Sequence, residues 1–197
     1  HAMTTQGKID FPADYKGSWV VLFSHPADFT PVCTTEFIAL SRMNETFESL
    51  NTKLIGLSID SLHSHLGWIK SIEALNFNNE GKVKIPFPII ADISMNVARK
   101  YGMLQTVANT QTVRAVFIID PEGMIRTILY YPMSTGRNIP EIIRILQSLQ
   151  LNDKTHYSTP ANWQPGDAVV MGAPLTIEEA QERLESSDNT IEHLDWY

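Results

Sequence analysis

Trp19-Val20-Val21-Leu22-Phe23-Ser24-His25-Pro26-Ala27-Asp28-Phe29-Thr30-Pro31-Val32-Cys33-Thr34-Thr35-Glu36 holds the change of pattern on which the reading of this chain turns. An apolar run, Trp19 to Phe23, ends just before the only cysteine, and an amphipathic pattern from Phe37 to Leu50 begins just after it. Between them Thr30 is a good helix N-cap, and Pro31 is the residue type favoured at the first helical position. Cys33 is then the third residue of a helix, inside the first turn, where backbone N–H groups lack intrahelical partners. Those groups and the helix dipole favour an anion, so the setting favours a thiolate. By burial preference alone a lone cysteine reads as a small buried hydrophobe. The strand, cap, proline and helix start around this one point instead to a nucleophile, because a structural cysteine needs no helix N-terminus. The electrophile it attacks is open at this level.

On either side of this stretch, strands alternate with helices. Lys8–Phe11 reads as a short strand and Trp19–Ser24 as a buried one. Phe37, Leu40, Met43, Phe47 and Leu50 recur at helical spacing over 36–50. Leu54–Asp60 reads as a strand, and Ser64–Leu75 as a helix with Leu66, Ile69, Ile72 and Leu75 on its apolar face. Phe87–Ala91 is a short strand, and Met95–Tyr101 a helix closed by Gly102. Ala115–Ile119 and Ile125–Tyr131 flank Asp120-Pro121-Glu122-Gly123, a strand–turn–strand hairpin. Ile139–Leu149 is an amphipathic helix. The expected class is α/β, with right-handed crossovers and an antiparallel edge. From about residue 153, Pro160, Pro165, Gly166, Gly172 and Pro174 break the periodicity until an acidic helix from Thr176 to Leu184. The expected organisation is one domain over residues 4–152 and a C-terminal arm over 153–197, with His1-Ala2 set aside as a tag remnant.

Composition narrows the classes. The 197 residues can build a sizeable core. A net charge of −7 argues against nucleic acid as a partner, since phosphate binding needs a basic face. No apolar stretch approaches a membrane span and nothing reads as a signal peptide. One cysteine excludes an intramolecular disulfide framework and makes a reducing cytoplasm the expected location. No glycine-rich phosphate loop precedes a helix, so no nucleotide cofactor is expected. His63 and His65 make a weak metal pair with no further ligand nearby; they read as solvated turn residues, and no metal is expected. Trp19, Trp68, Trp163 and Trp196 read as packing residues.

The stretch His25-Pro26-x-x-Phe29-Thr30-Pro31-Val32-Cys33-Thr34-Thr35-Glu36 resembles the peroxidatic loop of the peroxiredoxins, specifically of the 1-Cys type. The resemblance continues through Asp60-Ser61, Ile85-Pro86-Phe87-Pro88-Ile89-Ile90-Ala91-Asp92, Val113-Arg114-Ala115-Val116-Phe117-Ile118-Ile119-Asp120 and Tyr130-Tyr131-Pro132-Met133-Ser134-Thr135-Gly136-Arg137-Asn138. It resumes at Thr159-Pro160-Ala161-Asn162-Trp163 and at Leu194-Asp195-Trp196-Tyr197, and so covers nearly the whole chain. It implies a thioredoxin-like fold whose C-terminal region serves as a dimerisation arm, with dimers able to join into a ring.

The same resemblance assigns roles. Cys33 attacks a peroxide oxygen and becomes a sulfenic acid. The Thr30 hydroxyl contacts peroxide as well as capping the helix, where its side chain can approach the Cys33 amide and thiol. Pro26, otherwise a turn residue, shields the sulfur. Arg114, by itself a solvated strand arginine, is implied to lie beside the sulfur as a forked donor. Arg137, which alone reads as a surface loop residue, supports the same cluster. Glu36, unaided an ordinary first-turn acid, is implied to hold the two arginines. His25 lies close to the active-site loop and can hydrogen-bond the oxidised cysteine.

The expected function is therefore a thiol-dependent peroxidase acting on hydrogen peroxide and organic hydroperoxides, without metal or bound cofactor. Its partners are an external thiol reductant, a thioredoxin-like protein or small thiol, and a second copy of the chain. A disulfide oxidoreductase would need Cys-x-x-Cys, and position 36 is Glu36. From another class, a redox sensor or holdase chaperone could use the same fold. At the chain ends two further expectations arise. The start at Thr4 is late for the family, which usually carries an Ala-Pro-x-Phe segment. The Leu194–Tyr197 motif commonly continues toward a cysteine, so a 1-Cys enzyme and a shortened 2-Cys enzyme both stay open.

Overall fold

A computed structural model describes residues 1–104 and 111–185; the expectations for Leu194-Asp195-Trp196-Tyr197 fall outside the described residues. The chain divides into two compact units, His1–Ile143 and Arg144–Tyr197.

The first unit is built on a seven-stranded mixed sheet in the order β2-β1-β5-β4-β3-β6-β7. Its strands are β1 (Ala2–Thr4), β2 (Gly7–Ile9), β3 (Trp19–Ser24), β4 (Thr52–Ser58), β5 (Ile89–Ala91), β6 (Arg114–Ile119) and β7 (Ile125–Tyr131). Strands β3, β4 and β5 pair in parallel, while β6 runs antiparallel to both β3 and β7. Every residue of β3 and of β6 is buried, which is why both read as continuous apolar runs. Strand β7 alternates between exposed and half-buried positions at the sheet edge. Helices α1 (Pro31–Arg42), α2 (Asn44–Ser49), α3 (Leu62–Ala74) and α4 (Asn96–Lys100) connect the strands, and α5 (Ile139–Thr155) follows the hairpin.

Packing explains how α1 is held. Phe37 is fully buried, with its ring 5.5 Å from Phe23, 5.6 Å from Phe87 and 4.6 Å from Trp68. Gly56 on β4 lies against this cluster: a Cβ there would stand 3.4 Å from the Phe23 and Phe37 rings, in van der Waals contact. Truncating a ring packed in this way costs about 3–5 kcal/mol, so the helix carrying Cys33 is firmly seated.

Several expectations change. The single helix over 36–50 is two, because the backbone leaves helical geometry at Met43 (φ −94°, ψ 4°). The face of α3 that packs inward carries His65, Trp68 and Ile72, while Leu66 and Leu75 are exposed. His65 is therefore no solvated turn residue; only His63 is exposed. Helix α5 runs on to Thr155. Ala2, set aside as a tag remnant, pairs with Ile9 in the β1–β2 hairpin, since ladder bonds use backbone groups that every residue carries. Gly102 follows α4 with φ 65°, the left-handed position expected of it.

In the second unit, the Ser148 and Thr159 hydroxyls lie 2.6 Å apart, and the buried Trp163 indole donates to the Asp167 carbonyl at 3.2 Å. Helix α6 (Ile177–Glu185) starts where Thr176 Oγ1 accepts the Glu179 N–H, and Leu175, Ile177 and Leu184 around it are exposed. Among the described residues no helix is long and apolar enough to cross a membrane.

Candidate active site

Thr30 takes extended backbone angles (φ −108°, ψ 147°) and Pro31 opens α1, so Cys33 stands in the first helical turn. Thr30 departs from expectation in one respect. Its hydroxyl does not cap the helix but donates to the Ala27 carbonyl at 2.8 Å, while its own carbonyl accepts the Thr34 N–H and hydroxyl. Closing that turn takes the oxygen away from the helix N–H groups. Phe29, inside the turn, has φ 55° and an exposed ring. Pro26 is buried in the bend after β3.

Two arginines from distant parts of the sequence converge on Cys33 and Glu36 at the helix start. Arg114 begins β6, and its Nη1 donates both to Cys33 Sγ at 3.2 Å and to Glu36 Oε2 at 2.9 Å. Its Nε donates to the Met133 carbonyl at 2.9 Å, fixing the plane of the fork. Glu36 lies three residues after Cys33, on the same helix face. Arg137 donates to both Glu36 oxygens, from Nε at 3.0 Å and from Nη2 at 2.7 Å, and its backbone N–H adds a third bond at 2.9 Å. Arg137 Nη1 donates to the carbonyls of Ser24 and Ala115, tying the ends of β3 and β6 together. None of the four is more than 7% exposed. The unaided readings of Arg114 as a solvated strand residue and Arg137 as a surface loop residue are thus overturned: both are buried, at the start of β6 and in the loop after β7.

The charges in this cluster do not cancel by themselves. Two guanidinium groups face one carboxylate, leaving one buried positive charge against the sulfur. An unpaired buried charge is strongly unfavourable. A thiolate at Cys33 would complete the balance, with Arg114 Nη1 placed to give it a charge-assisted hydrogen bond.

A second buried polar cluster lies beside the first. His25 Nε2 is 2.8 Å from Asp28 Oδ1, and His65 Nδ1 is 2.8 Å from Asp28 Oδ2. Burial alone would raise the Asp28 carboxyl, but the bonds from His25 and His65 more than offset it and hold it well below the usual carboxylate range. Burial lowers His25, and its bond to Asp28 only partly offsets this. The donor atoms of His25, Asp28 and His65 lie within 4.8 Å of one another, a spacing that could also accept a metal ion. Sequence reasoning missed Asp28 and His65. The available signal was the period of α3, because His65, Trp68 and Ile72 fall at helical spacing as well as the chosen set does.

The AhpC/TSA family matches over residues 2–128, and the C-terminal domain of 1-Cys peroxiredoxin over residues 148–187. A peroxiredoxin of Methanosarcina mazei is 57% identical over 100% of this chain and 90% of the relative. The chain belongs to the peroxiredoxins. Among solved structures it is similar to a yeast mitochondrial 1-Cys peroxiredoxin, with TM-score 0.82, 43% identity and coverage of 94% of this chain and 88% of that one. A cysteine-to-serine variant of peroxiredoxin 6 of Arenicola marina gives TM-score 0.81 and 40% identity, covering 91% of this chain and 83% of that one. The fold is accordingly the thioredoxin-like fold of peroxiredoxins, and the protein is a thiol peroxidase; its C-terminal part matches the 1-Cys group, and these 197 residues carry one cysteine, Cys33. Peroxides as substrates and thiol-type reductants follow from membership of this family.

Proposed function

We propose that Cys33 is the peroxidatic nucleophile and that Arg114, Glu36 and Arg137 form its anion-stabilising frame. The observation that carries this reading is the single Arg114 Nη1 shared between Cys33 Sγ and Glu36. The Cys33 thiolate attacks one oxygen of ROOH; an S–O bond forms and the O–O bond breaks. The product is Cys33–SOH, and the RO⁻ leaving group takes a proton to become ROH. Arg114 faces both the thiolate and the oxygen on which charge develops. The Thr30 hydroxyl serves as a second contact for the peroxide, Pro26 shields the sulfur from water, and His25 bonds the oxidised sulfur.

Hydrogen peroxide and organic hydroperoxides are the proposed substrates. Reduction of Cys33–SOH by an external thiol, small or thioredoxin-like, returns the enzyme. The yeast mitochondrial relative has a thiol resolving mechanism via glutathione and thioredoxin systems, which supports that choice. Residues 4–152 would be the catalytic domain and 153–197 the dimerisation region of a homodimer that can join a ring. A cytoplasmic location fits a chain with one cysteine. A redox sensor or holdase is not favoured. Peroxide consumption with a small-thiol reductant tests the reading: sustained turnover is expected, and oxidation of one equivalent followed by silence would refute it. Light scattering at micromolar concentration should give at least a dimer mass, and a monomer would count against the arm's role.

A further inference from the structure

His25 Nδ1 is fully buried and has no hydrogen-bond partner, one of two such side-chain atoms among the described residues. A buried acceptor without a donor is costly. The His25 backbone is pinned at both ends: its N–H donates to Leu57 O at 3.0 Å, and its C=O accepts from Thr112 Oγ1 at 2.5 Å. Its ring packs 4.9 Å from Phe37 and 4.9 Å from Trp68. Both neighbours lead to the reactive residue. Phe37 is about one turn along α1 from Cys33, and the Trp68 indole donates to Thr34, the residue after Cys33, at 3.2 Å.

The proton positions follow from the partners. The Asp28 carboxylate only accepts, so the nitrogens facing it, His25 Nε2 and His65 Nδ1, both carry hydrogens. His65 Nε2 lies 3.2 Å from the Ile90 carbonyl, which also only accepts. His65 is thus held at both ring nitrogens, and through Nδ1 it fixes the Asp28 carboxylate opposite His25. His25, kept neutral by burial, has its one hydrogen on Nε2 and its lone pair on the unpartnered Nδ1.

We propose that Asp28 and His65 are positioning residues that lock His25 in the Nε2–H tautomer, so that the Nδ1 lone pair is held ready to accept the O–H of Cys33–SOH. This rests on the reading of Cys33 as the peroxidatic residue and of His25 as its partner after oxidation. Accepting that hydrogen favours the neutral sulfenic acid over the sulfenate. The sulfenate is the form that attacks a second peroxide, Cys33–SO⁻ + ROOH giving Cys33–SO2⁻ + ROH. The device therefore protects the enzyme from overoxidation, and its signature is the rate of overoxidation relative to the rate of first oxidation.

Two measurements test it on the full chain. Two-bond 15N–1H spectra of the reduced protein should show His25 with a protonated Nε2 and a bare Nδ1, and His65 with a protonated Nδ1; the opposite His25 tautomer, or a His25 cation, would overturn the proposal. Intact-mass kinetics with hydrogen peroxide then give both oxidation rates. For Asp28→Leu and His65→Leu the ratio of overoxidation to first oxidation should rise about fivefold, the value of one hydrogen bond. His65→Asn, whose amide can occupy the place of Nδ1 and donate to Asp28, should restore the ratio. If Asp28→Leu fails to fold, the two His65 variants carry the test, since loss of stability alone would not move a ratio of rates. An unchanged ratio in His65→Leu would refute the positioning role. Failure of the underlying reading looks different: wild-type Cys33 would gain no oxygen at all, while the histidine spectra stayed as expected.

Discussion

The two buried polar clusters flank the same helix start but solve opposite problems. Around Glu36, two guanidinium groups outnumber one carboxylate, and the surplus faces a sulfur that can become an anion. Around Asp28, one carboxylate bridges two imidazoles, and every polar atom but His25 Nδ1 has a partner. The first cluster is incomplete in charge and the second is incomplete by one donor. Chemistry belongs where a buried network is left open, because a closed one has nothing to gain from a reacting group.

The largest effect should come from removing the sulfur itself. Cys33→Ser should reduce peroxide turnover to background with the fold intact, and overoxidised product in the parent should map to Cys33 alone; residual turnover in a coupled assay would refute the assignment. Next, Arg114→Lys keeps the charge but cannot serve Sγ, Glu36 and the Met133 carbonyl together. The second-order rate with peroxide should fall about 10- to 100-fold, the value of a charge-assisted hydrogen bond, as read by stopped flow.

Glu36→Gln tests the charge count as stability. It leaves two buried guanidinium groups without their carboxylate, so urea unfolding should show a loss of about 3 kcal/mol or more. The smallest effect is expected from pH. Asp28 is held below its unfolded value, so its contribution is present above about pH 4 and is lost as the pH falls through the folded value. His25 is also lowered, so the fold resists its protonation, and stability should decline as the pH drops below about 6.5. Asp28→Asn should flatten the part of that decline below about pH 4, by roughly 1 kcal/mol. A pH-stability curve identical to the parent's would separate Asp28 from the acid response.

Much of the first cluster was legible from sequence because local signals and a long resemblance agreed. Thr30, Pro31 and the apolar run before them announce a strand feeding a helix, and Cys33 falls at the right place in its first turn. Arg114 and Arg137 could be set beside the sulfur only by resemblance, since nothing local marks a buried arginine in a strand or a loop. The second cluster was misread because α3 offers two apolar periods. The set containing Leu66 and Leu75 looks better by hydrophobicity, but the sheet buries the set containing His65. An imidazole becomes a core residue when a carboxylate thirty-seven positions away meets it, and no window of sequence holds that fact.

The order of strands and helices, the proline that starts α1 and the place of the one thiol in its first turn were written in the chain alone, because they depend on neighbours a few residues apart. Three-dimensional packing settled the rest: which side of α3 faces inward, where the Thr30 hydroxyl bonds, and how the charges balance at Cys33. Those outcomes depend on partners such as Glu36 and Arg137, whose bonds span 101 positions of the chain, and only burial turns such a meeting into a strong interaction by removing the water that would otherwise screen it.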